Sequence, residues 1–382
     1  PLKTVRFFGM GSLLKKESES SSKKGAVKKT KKNASPASLA NEAEIPEHLR
    51  PFIATPHPEL YTYIDHASWR FIQKISRDFF AEHAHQKYND GLELTGIHAE
   101  RIPLISEMNE KVKAFGWKAV PVVGFIPPSV FLEFLSLGIL PIACDMRTLE
   151  HLDYTPAPDI VHEAAGHAPI LADPDYADYL LHYGELARKV MFSDKDMAVY
   201  DAIRDLSDIK EDPASSQQEI DASQKRLDQT LASVDYISEA TELSRMGWWT
   251  FEYGMVGDLK NPKIYGAGLL SSIAESYHCM DENVKKIPMS IDCIKYSYDI
   301  TKQQPQLFVT SNFQVLKDIL KEFEKRMSFR MGGITALERA VQCRTVTTTE
   351  LETGLQISGK LVEILRDSKG NPSYLRFEGP TQ

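Results

Sequence analysis

The chain has 382 residues, 42% of them hydrophobic and 26% charged, enough for a sizeable core in one large domain or two. Its net charge of -8 argues against a general nucleic-acid binder. The most apolar stretch, residues 120–143, contains Pro127, Pro128 and Glu133, which suits a buried core segment and not a membrane span.

Residues 1–45 are rich in Lys, Ser and Ala, with Lys15, Lys16, Lys23, Lys24, Lys28, Lys29, Lys31 and Lys32 set among serines. So little apolar surface cannot offset the entropy of ordering, and a disordered basic arm or linker is expected. Such an arm is the one local feature suited to nucleic acid or an anionic membrane. The first sixteen residues are more apolar and read as the tail of an upstream domain. Residue 1 is proline and the last residues follow a strand-like stretch, so both ends read as cut.

From residue 46 to 340 the composition is that of a folded domain. Residues 60–84 carry His66, Trp69, Ile72, Ile75, Phe79 and Phe80 at near-helical spacing, and residues 105–115 repeat the pattern. Residues 117–125 are Val-rich and strand-like, and residues 130–140 read as a buried helix after the proline pair.

The most informative stretch is Thr155-Pro-Ala-Pro-Asp159-Ile-Val-His162-Glu163-Ala-Ala-Gly166-His167-Ala-Pro169. It looks like the zincin pattern H-E-x-x-H with the second histidine one residue late. Five steps of an ideal α-helix leave two side chains about 140° apart. His162 and His167 therefore share a metal only if the helix is short or irregular. Asp159 as N-cap, Gly166 in the last turn and Pro169 beyond it point that way.

Residues 193–240 are polar, with Leu206, Ile209, Ile220, Leu227, Leu231, Val234 and Ile237 at helical spacing, and Asp212-Pro213 marks a turn. A surface helical hairpin is expected there, a possible contact for a partner or a homo-oligomer. Trp248-Trp249-Thr250-Phe251-Glu252-Tyr253-Gly254 follows. An acid in such an aromatic run is costly to bury unless paired or bound to metal. Two histidines and this carboxylate would form the facial triad of non-haem Fe(II) oxygenases, leaving three positions open.

Tyr265-Gly266-Ala-Gly268-Leu-Leu-Ser271 has the look of a dinucleotide loop but lacks the third glycine. Glu275 reads as a helix-face acid. Residues 313–327 form an amphipathic pattern, and residues 346–377, with Lys369-Gly-Asn-Pro372 as turn signal, read as strands and a hairpin. The four cysteines, Cys144, Cys279, Cys293 and Cys343, form no C-x-x-C pair, and with no secretory segment they point to a reducing cytoplasm.

The run ending in His162-Glu163-Ala-Ala-Gly166-His167 resembles the iron-binding segment of the pterin-dependent aromatic amino acid hydroxylases. Trp248 to Gly254, Tyr265 to Ser272 and Gln304-Pro-Gln-Leu-Phe-Val309 resemble three further blocks of that family, in the same order, over roughly residues 55–330. The resemblance implies a mainly α fold with a few short strands, a helical basket around one iron. Residues 341–382 would begin a β-rich accessory module. It implies Fe(II) on His162, His167 and Glu252, a tetrahydropterin, and O2 as co-substrate for hydroxylating the ring of a small-molecule aromatic amino acid. Phenylalanine is the expected substrate, with tryptophan the nearest rival.

The same resemblance assigns Gly124, Ile126, Phe131, Leu132 and Glu163 to the pterin. It assigns Arg147, Thr155, Trp248, Phe251 and Ser271 to the substrate, and Ile300 to specificity. Asp159 would support a ligand histidine from behind. Pro128, Ser129 and Gly247 depart from the animal members of the family, which carry serine-arginine chemistry and a tyrosine there. Two other classes remain open at this point. A zinc hydrolase would use Glu163 as general base, and a non-catalytic scaffold would need only the fold.

Overall fold

The computed structural model describes residues 4–5 and 45–382, apart from residues 125, 154, 156, 213 and 301. The basic arm therefore lies outside the described residues except for Thr4–Val5, which pairs as a short strand, β1, with the C-terminal sheet.

The expected helix at residues 60–84 is α1, Tyr63–His83. Thr62 and Asp65 close its first turn with a capping box, each side chain accepting the other's backbone N–H. Its inner face buries Trp69, Ile72 and Phe80 in the main core. A short helix α2, Tyr88–Leu94, and α3, Ile105–Val112, follow.

A parallel pair is built from β2, Lys118–Val122, the helix α4, Pro128–Ser136, and β3, Ile139–Ala143, with Lys118 opposite Ile139. The helix expected over 130–140 thus ends early. Gly138 takes φ +66, and the last three positions of that range belong to the turn and to β3. Next, α5, Pro174–Ala187, packs across α4. Gly184 permits the crossing, because a Cβ there would lie 2.5 Å from the Ser136 nitrogen.

The expected hairpin at 193–240 is α6, Asp194–Glu211, and α7, Gln217–Ala232, with capping boxes at Ser193 and Ser216. Ala202, Leu206 and Leu227 form a small core of their own between them. Asp212 accepts the Ala214 N–H at the turn, and its neighbour Pro213 lies outside the described residues. The chain returns through α8, Glu239–Gly247.

A second sheet holds β4, Met255–Asp258, β5, Asn261–Ile264, β6, Lys285–Pro288, and β7, Gln306–Thr310, in the order β5-β4-β7-β6. Between β5 and β6 lie α9, Ala267–Ser271, and α10, Ile273–His278. After β7 come the amphipathic α11, Phe313–Arg326, the single turn α12, Ser328–Met331, and α13, Gly333–Cys343.

The C-terminal strands are β8, Val346–Glu350, β9, Gln356–Arg366, and β10, Pro372–Glu378. With β1 they form an antiparallel sheet in the order β1-β8-β9-β10. Leu361 of β9 packs on Leu337 and Ala340 of α13, which ties this extension to the helical body. The mainly helical architecture with a β-rich extension is as expected. Among the described residues, no helix is long and apolar enough to cross a membrane.

Candidate metal centre

Two irregular helical turns converge on one point. The first, Val161–His167, is wound as a π-helix, and Ala168 donates its N–H to the Glu163 carbonyl five residues back. In this wider winding residues five apart lie on the same side of the helix instead of being splayed as in an α-helix. His162 and His167 therefore share a face, with ring centroids 4.9 Å apart. Asp159 starts the turn: its Oδ1 accepts the His162 N–H at 3.1 Å and its carbonyl accepts the Glu163 N–H at 3.0 Å. Gly166 permits close packing, since a Cβ there would lie 2.8 Å from the Ala267 carbonyl oxygen of α9.

The second turn, Trp248–Glu252, is also a π-helix, closed by Tyr253 N–H donating to the Trp248 carbonyl at 2.8 Å. It sets Glu252 opposite both histidines. Oε2 lies 3.3 Å from His162 Nε2, and Oε1 lies 3.3 Å from His167 Nε2. Glu163 is a second carboxylate at the edge, its Oε2 4.0 Å from His167 Nε2. Ligand atoms of His162, Glu163 and His167 all fall within 4.8 Å of one another. Of the two carboxylates, Glu252 faces both imidazoles equally and at the shorter range.

The set fits a metal ion. Ligands bonded at about 2.1 Å on adjacent octahedral positions stand about 3.0 Å apart, close to the 3.3 Å between Glu252 and each histidine. His167 Nε2 and Glu163 Oε2 are buried without a hydrogen-bond partner. Orphaned atoms of this kind ask for a cation.

The electrostatics agree. Burial opposes charge on the His162 ring, but the Glu252 carboxylate outweighs it and pushes the ring up to about 9. Burial likewise opposes ionisation of Glu252, yet the two imidazoles hold it far below the ordinary carboxylate range. Burial pushes the Glu163 carboxyl up against the pull of His167 and His162. Glu252 thus faces positive charge, which a divalent ion would supply while both rings stay neutral as ligation requires.

A polar mount lies behind the histidines. Ser271 Oγ is 2.9 Å from His162 Nδ1. Arg147 Nε and Nη2 donate to the two oxygens of Asp159 at 2.8 Å each, and Nη1 donates to the Ser271 carbonyl at 2.9 Å. Burial opposes ionisation of Asp159, but the guanidinium outweighs it and holds the carboxyl low. Asp159 thus meets the His162 backbone and the arginine.

The remaining expected residues are spread around this centre. The Phe131 and Phe251 rings lie 5.9 and 6.1 Å from His167. Leu132 is half-buried against the main core, and Ile126 packs on a smaller cluster beside β2. Gly124 has φ +69, with open space where a Cβ would stand, and its N–H donates to Asp145. Thr155 donates to the Ala157 carbonyl. Ile300 is half-buried in the loop before β7. Where animal members of the family carry tyrosine, Gly247 has the Tyr183 hydroxyl 2.6 Å from where its Cβ would be.

Sequence reasoning missed the surroundings of Trp248. Its indole stacks on Tyr253 at 4.5 Å and 24°, and on Tyr298 at 4.3 Å and 7°. Its Nε1 donates to Gln304 Oε1 at 3.4 Å. Tyr253 sits in the same aromatic run and Gln304 opens another of the resembling blocks, but no spacing places Tyr298 and Gln304 against Trp248.

The family profile of the biopterin-dependent aromatic amino acid hydroxylases matches residues 43–195 and 218–335. The gap between the two matched segments falls within the helical hairpin. Phenylalanine-4-hydroxylase of Chromobacterium violaceum is 28% identical over 292 residues, covering 76% of this chain and 80% of that protein. The Pseudomonas aeruginosa enzyme of the same name is 29% identical over 264 residues, covering 69% and 84%. The crystal structure of the C. violaceum enzyme with iron(III) and 7,8-dihydrobiopterin superposes with a TM-score of 0.55 at 27% identity, covering 71% of this chain and 85% of that one.

Proposed function

Because the chain belongs to the biopterin-dependent aromatic amino acid hydroxylase family, we propose that it converts phenylalanine to tyrosine with O2 and a tetrahydropterin, at Fe(II) held by His162, His167 and Glu252. The observation that carries this reading is the pair of π turns, which aim two imidazoles and one carboxylate at one point. Such a face leaves three of six positions for oxygen and substrate. When bound, the iron and the pterin supply the electrons that split O2 and deliver one of its atoms to the ring.

The chain's own work is positioning. Arg147 receives the amino acid's carboxylate. Four of its five N–H donors are held by Asp159 and by the Leu152 and Ser271 carbonyls, so the fork is rigid and one Nη2 hydrogen remains. Thr155 and Ser271 border the substrate's polar end, and Phe251 and Trp248 its ring. Ile300 is apolar, which favours phenylalanine over tyrosine. The pterin lies along Gly124, Ile126, Phe131 and Leu132, with Glu163 at its edge. Residues 46–340 make up the catalytic body, the 193–240 hairpin is a surface insertion, and the sheet from 341 onward is an accessory module. The four cysteines are free thiols, which suits a reducing cytoplasm.

The test is metal content, followed in the same sample by product analysis with phenylalanine, tyrosine and tryptophan plus Fe(II) and tetrahydropterin. Iron, with tyrosine formed from phenylalanine and lost in Glu252→Ala, is expected. Tightly bound zinc with no pterin-dependent product would overturn the reading and favour a hydrolase using Glu163. Faster turnover of tryptophan would replace phenylalanine as substrate.

A further inference from the structure

Trp248 has both faces covered. Two rings near-parallel to one indole at 4.5 and 4.3 Å cannot share a face. On one face their centroids would be at most about 5 Å apart, and coplanar rings need about 6 Å. Tyr253, Trp248 and Tyr298 are therefore a three-ring stack, and Trp248 offers a substrate only its edge. Where that edge stands depends on what holds the stack.

Two links hold it. Tyr298 Oη is 2.8 Å from Ser244 Oγ on α8, the helix that runs directly into Trp248. Gln304 is buried, and its amide is fully engaged: Nε2 donates to the Asp299 carbonyl at 3.0 Å and the Lys302 carbonyl at 2.7 Å, and Oε1 accepts from Trp248 Nε1. Because both N–H groups face carbonyls, the amide cannot be flipped. Gln304 also stands two residues before β7, which is hydrogen-bonded between β4 and β6. Its side chain thus joins the indole to the loop that carries Tyr298 and Ile300, and its backbone leads straight into the sheet.

We propose that Gln304 is a positioning residue that fixes the Trp248 edge and so the width of the aromatic pocket. The loop before β7 then discriminates among aromatic amino acids through the Gln304–Trp248 hydrogen bond and the Tyr298 stack, as well as through Ile300. This rests on the reading of Trp248 as a pocket wall. Loss of either link lets the stack shift outward, and the larger indole of tryptophan gains relative to phenylalanine.

The experiment compares wild type with Gln304→Leu and with Ser244→Ala, an exposed position whose change removes only the Tyr298 link. Three quantities are read: the tryptophan-to-phenylalanine ratio of kcat/KM, binding of each amino acid by calorimetry without pterin, and near-UV circular dichroism of the stacked rings. The expected result is a rise in the ratio of about fivefold in both variants, carried by KM. It comes with weaker phenylalanine binding, a reduced near-UV signal and unchanged iron content. An unchanged ratio and unchanged binding in both variants, beside a wild type that binds and hydroxylates phenylalanine, overturns the inference alone. A wild type that binds neither amino acid overturns the pocket reading and this inference with it.

Discussion

Arg147 and Asp159 form a two-point ion pair, 2.8 Å at each contact, with both side chains almost wholly buried. The same carboxylate receives the His162 N–H. The residue proposed to hold the substrate and the residue proposed to hold iron therefore share one support, and their mutants should not separate cleanly.

Arg147→Ala leaves Asp159 charged and unpaired in the interior, which typically costs about 3–5 kcal/mol. Urea denaturation should register this loss, together with weakened iron binding. Arg147→Lys keeps the charge without the planar fork. It should fold with a smaller loss and a phenylalanine KM raised about tenfold or more. Full stability in Arg147→Ala would count against the shared support.

Ser271 orients the His162 ring through Nδ1. Removing such a partner typically lowers metal affinity about 10–100-fold. Ser271→Ala should show that loss in a chelator competition with Fe(II), while Ser271→Thr should keep most of the affinity. Equal affinities in all three proteins would refute the role.

Gly247 and Tyr183 are coupled by space, the Tyr183 hydroxyl lying 2.6 Å from where a Gly247 Cβ would be. Gly247→Ala should cost about 1–3 kcal/mol as overpacking. In the Gly247→Ala, Tyr183→Phe double variant the costs should be less than additive, because the clashing oxygen is gone. Thermal or urea unfolding of the four proteins closes the cycle; strict additivity would show that the clash relaxes elsewhere.

Glu275 gives a pH prediction. Burial pushes its carboxyl from 4.5 up to about 7, with the Gln304 N–H working against the shift. A raised acid means that the folded state holds its proton while the unfolded chain has released it. Stability from this group is fully present below pH 4.5 and is lost as pH rises to about 7. Glu275→Gln removes the titration. Its stability relative to wild type should therefore climb across that window, by up to about 3 kcal/mol, and stay level above it. A constant difference from pH 4 to 8 would rule this out.

Much of the fold was legible because the physics there is local. The apolar spacing of α1, the helical spacing of the hairpin around 193–240 and the Lys369-Gly-Asn-Pro372 turn between β9 and β10 need only near neighbours in the chain. The overrun of the expected 130–140 helix also has a local cause. Buried helix and buried strand share the same apolar run, and only the left-handed Gly138 separates them.

By itself the sequence determined the chemistry on offer: two histidines five apart, a carboxylate inside an aromatic run, and the order of the segments that carry them. It did not determine that these groups meet. An α-helix would turn His162 and His167 apart. The π winding that turns them together is held by contacts from distant segments, with α9 against Gly166 and Ser271 on the His162 ring. The second π turn aims Glu252 from far downstream, and Tyr298 and Gln304 reach Trp248 across tens of residues. Local propensity can choose a helix or a strand, but the direction of a ligand and the wall of a pocket are set by packing between distant segments, and only the tertiary structure decides them.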